Sequence, residues 1–148
     1  MAYVRLTAPT MACVLVGACA SERVLAPRFV TIEGARVGVH AFLWRDFQPT
    51  SPPDGKPLVA ILRIQTTDDT PIPSTLTADS VWVYDGANVW AAPVVEEQPR
   101  EATYFEVVAR NGPKWGPGIL VDVVVRLRDS GGHLVLIQAS RQLIARTD

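Results

Sequence analysis

Residues 119 to 145 constrain the fold of this chain more than any other stretch. Ile119, Val121, Val123, Val125 and Leu127 recur at every second position, while Asp122, Arg126 and Arg128 take the intervening ones. A period of two describes a strand with one dry face and one wet face. Asp129-Ser130-Gly131-Gly132 then supplies turn chemistry, and His133 to Ala145 returns. The pattern predicts a long antiparallel hairpin.

The same signal runs upstream. Phe29 to Ile32 is short and apolar. Arg36 to Trp44 alternates, with Val37, Val39, Ala41 and Leu43 on one face and Gly38, His40, Phe42 and Trp44 on the other. Leu58 to Gln65 places Leu58, Ala60, Leu62 and Ile64 together. "VWVYDGANVW" reads as a hairpin turning at Asp85-Gly86. Thr103 to Ala109 sets Phe105, Val107 and Ala109 against Tyr104, Glu106 and Val108. Between these lie "QPTSPPDGKP" (48–57), "TTDDTPIPSTLTAD" (66–79) and "RNGPKWGPG" (110–118), which proline and glycine keep out of regular structure. No stretch downstream of residue 20 has a helical period. The expected fold is all-β, an Ig-like antiparallel β-sandwich of about seven to eight strands over residues 28–148. A small β-barrel is the alternative. The Cys…Trp…Cys set of immunoglobulin domains is absent, so only the general architecture is implied.

The chain has 148 residues, a one-domain length, and a formal net charge of −1. No global basic field invites nucleic acid. Both cysteines, Cys13 and Cys19, fall in the first nineteen residues, so the domain has neither a disulfide nor thiol chemistry of its own.

Met1 to Arg5 carries one basic side chain, and Leu6 to Ala18 is mostly apolar and uncharged. That run is shorter than the roughly 20 residues a membrane span needs. It fits the apolar region of a signal peptide, about 7–15 residues long. Val16-Gly17-Ala18-Cys19 closes the run, and the next residues turn polar. An aliphatic residue, two small residues and a cysteine resemble the lipobox of bacterial lipoproteins, position by position. Thr10-Met11-Ala12 before Cys13 lacks the aliphatic residue. The resemblance covers about the first twenty residues. It implies diacylglycerol attachment at the Cys19 sulfur and cleavage just before it. Residues 1–18 would be the signal peptide and 19–27 a lipidated tether. In that family an aspartate after the cysteine favours the inner membrane. Ala20 therefore implies the outer membrane, with the lipid at Cys19 holding the domain close to the surface.

The search for chemistry returns little. His40 and His133 are the only histidines, and neither has a second ligand at metal spacing. Asp68-Asp69 with Asp79, and Glu96-Glu97 with Glu101 and Glu106, read as solvated turns and surfaces. No nucleophile elbow, phosphate loop or dinucleotide fingerprint occurs. The expectation is no catalysis, no metal and no cofactor. Trp44, Trp82 and Trp90 suit sheet packing. Trp115, beside Lys114 in "GPKWGPG", is the candidate contact for an envelope protein or glycan, or else a cap folded back over the end of the domain. The functional expectation is an envelope binding or assembly module. The alternative is a protease-inhibitor-like module presenting "QPTSPPDGKP" or "NGPKWGPG". A solute-binding protein would need a deep pocket, and an enzyme a convergent polar cluster.

Overall fold

The computed structural model describes residues 25–148. Cys13, Cys19 and the whole signal-like segment lie outside the described residues. Eight strands follow in order: β1 (Phe29–Ile32), β2 (Ala35–Asp46), β3 (Leu58–Thr66), β4 (Thr77–Asp85), β5 (Asn88–Pro93), β6 (Tyr104–Gly112), β7 (Leu120–Arg128) and β8 (Leu134–Thr147). There is no helix among the described residues, and the all-β expectation holds.

The alternations predict which faces are buried. Along β3, Leu58, Ala60, Leu62 and Ile64 are fully buried, and the residues between them are half-buried. Phe105 and Val107 of β6, and Val121, Val123, Val125 and Leu127 of β7, join the same core. Each such Val, Leu, Ile or Phe side chain contributes about 1.5–3 kcal/mol of burial.

Hydrogen bonds link the strands into one curled sheet in the order β5-β4-β7-β8-β2-β3-β6, with β1 added to β2. The sheet is mixed, which corrects the purely antiparallel expectation. β8 pairs antiparallel with β7, then runs parallel to β2 from Leu43 to Asp46 against Ile144 to Thr147. A bulge makes this crossing possible. Asp122 of β7 faces both Ser140 and Arg141, Arg141 has φ 55°, and its N–H donates to Asp122 Oδ1 at 2.9 Å. One extra residue inverts the side-chain alternation beyond it. Ile137 and Ile144, an odd number of positions apart, are therefore both fully buried. In the β1–β2 hairpin, Glu33 and Gly34 both take positive φ, giving a type I′ turn that the sequence reading lacked. In the β4–β5 hairpin Gly86 alone does so, which is the type II′ solution.

The curl brings the two ends of the sheet together. Val95, just past β5, pairs with Val108 of β6. The Trp90 ring of β5 lies over Gly112 of β6, where an added Cβ would stand 2.8 Å from the ring carbons. Gly112→Ala should therefore cost about 1–3 kcal/mol by overpacking. Adding Trp90→Phe should restore part of that loss in urea titrations.

The chain enters the domain on β8. Gln138 is 5% exposed, and its Oε1 accepts the N–H groups of Leu25 (2.9 Å) and Ala26 (2.8 Å). Its own N–H donates to the Pro27 carbonyl at 2.9 Å. Residues 25–27 of the expected tether are thus bonded to the sheet.

Candidate functional site

The two proline- and glycine-rich loops meet at one end of the sheet, and a buried arginine joins them. Arg45 is the last inward-facing position of β2 and is 3% exposed. A buried guanidinium is costly unless its donors are satisfied. No carboxylate does this here. Nε donates to the Lys56 carbonyl at 3.0 Å, and Nη1 to the carbonyls of Lys114 (3.1 Å) and Gly116 (2.8 Å). Nη2 donates to the Asp54 carbonyl. The planar fork reaches both loops at once, which a lysine ammonium on a flexible stem would not reproduce.

Each loop has its own support. In 48–57, Ser51 N donates to Gln48 O (2.7 Å), Gly55 N to Pro52 O (2.8 Å) and Lys56 N to Asp46 O (2.8 Å). Gly55 has φ 76°, and a Cβ there would stand 2.6 Å from the Phe47 ring, so only glycine fits. The Arg45 and Arg146 guanidinium carbons lie 5.0 and 4.2 Å from that ring's centre. In the second loop Trp115 is partly buried against the core, and Gly118 N donates to Ile144 O at 2.9 Å.

The loops also touch through charge. Lys114 Nζ lies 2.7 Å from Asp54 Oδ2, with both side chains well exposed. The Lys114 hydrogen bond holds the Asp54 carboxyl below its ordinary value, partial desolvation opposes this, and the Lys114 and Arg45 charges add to the lowering. A carboxyl depressed by folding stabilises above its unfolded pKa, and that contribution disappears as pH falls through the folded value. Acidification below the usual carboxylate range should therefore loosen the contact between the loops. The hydrogen bonds of Arg45 to its carbonyl partners do not run through this carboxylate. An NMR titration of the amides around Lys114 should show this transition and Asp54→Asn should remove it there, while the amides of Gln48 and Lys56 also follow Asp46, which bonds both residues.

This end is a polar platform built from the two loops. Of the residues singled out from the sequence, Lys114 and Trp115 belong to it. Lys114 is exposed on the Asp54 side, whereas Trp115 turns toward the core. The other candidates are dispersed. His40 is exposed on the outer face of β2, and His133 is exposed with Nδ1 3.2 Å from Asp129 Oδ2. Asp68 bonds Thr70 within its own turn. Asp79 binds Arg126 and Arg128, Glu96 binds Arg100, Glu97 binds Arg110 and Glu106 binds Arg63. Among the described residues no three His, Cys, Asp or Glu side chains converge. Arg45 was missed by sequence reasoning. Its one signal is an arginine on the apolar register of Val37, Val39, Ala41 and Leu43.

Compared with known proteins, the chain matches no family model, no curated protein and no solved structure.

Proposed function

We propose that this chain is a bacterial envelope lipoprotein whose β domain is a non-catalytic binding or assembly module. The observation that carries the reading is Val16-Gly17-Ala18-Cys19 at the end of an apolar, uncharged run. The lipid on Cys19 anchors the protein, and Ala20 after it favours the outer membrane. The bonds of Gln138 to residues 25–27 support close apposition. Only residues 20–24 would then separate the lipid from the domain. At about 3.3–3.6 Å per residue this stretch spans roughly 20 Å from Cys19 to Leu25.

The partner in this reading is an envelope protein or glycan. A second reading, the inhibitor-like module, draws support from the Arg45 clasp. A loop held in one conformation before binding loses less entropy on binding, as an inhibitory loop must. Substitution of Cys19, with lipid labelling and fractionation as readouts, tests the anchor. Cross-linking from Lys114 in envelope preparations tests the platform: a discrete adduct supports it, and an adduct with a protease favours the second reading.

A further inference from the structure

We infer that the seam between β2 and β8 is a peptide-binding cleft, and that its occupant is an extended, acidic segment of a partner polypeptide carrying apolar side chains. This goes beyond the anchored-module reading and does not depend on the lipid. The cleft exists because of how the strands share edges. β3 takes one edge of β2 from Val37 to Trp44. β1 and β8 divide the other, β1 pairing with residues 35–38 and β8 with residues 43–46. No strand pairs with β2 residues 39–42 on this edge. Across the gap the bulged part of β8 is turned the same way, and its partner β7 lies on its far side.

Two hollows border the gap and meet at Gln142, which lines both; the smaller continues over the paired residues Leu43, Trp44, Ala145 and Thr147. One is about 650 Å³ and the other about 470 Å³. That is the scale of ordinary ligand sites. Their characters differ. The larger holds Arg28 and Arg141, whose side chains make no ion pair among the described residues, although the Arg141 N–H donates to Asp122; Asp69 is the acidic side chain in its lining. The smaller holds Phe42, Trp44 and Leu143, and Phe42 and Leu143 are 49% and 55% exposed. One end therefore attracts negative charge and the other takes apolar side chains. Open strand edges between them favour a polypeptide over a lipid, because an extended chain supplies backbone donors and acceptors and an acyl chain supplies none. The four-residue gap admits about 13 Å of extended chain.

The test titrates the full chain with a capped pentapeptide alternating valine and glutamate. The comparison ligands are its lysine counterpart and dodecanoate, with binding followed by calorimetry and backbone amide shifts. The glutamate peptide should bind about tenfold or more tighter than the lysine peptide, because like charges facing Arg28 and Arg141 are repelled. Its shifts should cluster at residues 39–42 and 139–143. Arg28→Glu with Arg141→Glu should invert the preference while the thermal midpoint stays unchanged, and Phe42→Ser should weaken both peptides. Equal affinity for the two peptides, shifts confined to the Arg45 loops, or binding of dodecanoate alone would each overturn the proposal.

Discussion

Arg45→Ala should lower the unfolding free energy by about 1.5–3 kcal/mol, the worth of hydrogen bonding to a charged group. The loss has two parts. The carbonyls of Asp54, Lys56, Lys114 and Gly116 lose a charged donor, and those facing inward are left without a partner. The loops also lose a side chain that bonds to both. Arg45→Met keeps the apolar stem and isolates the hydrogen-bonding part, and should recover less than half of the loss. Arg45→Lys keeps the charge without the fork and should remain clearly destabilised. The measurement is a urea titration, with a lower midpoint at unchanged slope. A cost below about 1 kcal/mol would mean that water replaces the guanidinium at these carbonyls without penalty. The strands should persist in the folded baseline, since Arg45 joins the β2–β8 ladder through its backbone, which the substitution keeps. Amide exchange should therefore rise in 48–57 and 112–118 before it rises in β3 or β7.

The second large effect belongs to the anchor. Cys19→Ala should leave a precursor that retains the eighteen residues before the cysteine and takes up no lipid probe. An alanine methyl cannot form the thioether, whereas a cysteine thiolate is the nucleophile for it. Membrane retention should change in kind, because two acyl chains give stable anchoring while a single chain binds only marginally. Cys13→Ala should behave as wild type, since no aliphatic-small-small sequence precedes it. If Cys19→Ala is still cleaved and labelled, the lipoprotein reading falls, and the cleft and the loop platform stand apart from it.

Much of the fold was legible, for a local reason. Alternation is written in neighbouring residues, so the inward sets of β2, β3, β6 and β7 follow from Val37, Leu62, Phe105 and Val123 and the residues two positions away. The β4–β5 hairpin was legible through Gly86. The β1–β2 hairpin was not, because Glu33 occupies a left-handed position where Asn, Asp or Gly gives the usual signal. Trp115 was open to two readings, contact or cap. It lies against the core, and Lys114 is the part of that pair left outward.

Periodicity and turn chemistry in the chain were enough to establish strands, faces and loops. The curl of the sheet, the parallel seam of β2 and β8, and the joining of the two loops came only from the tertiary structure. Strand edges pair through backbone N–H and C=O groups that nearly every residue carries. The bulge at Ser140 and Arg141 leaves no mark in composition, yet it carries the end of β8 across to β2. The four acceptors around Arg45 are carbonyls, so the identities of Asp54, Lys56, Lys114 and Gly116 do not announce them. Side-chain pattern determines which face of a strand is dry. Long-range backbone geometry determines which edges meet, and here that decides both the clasp and the cleft.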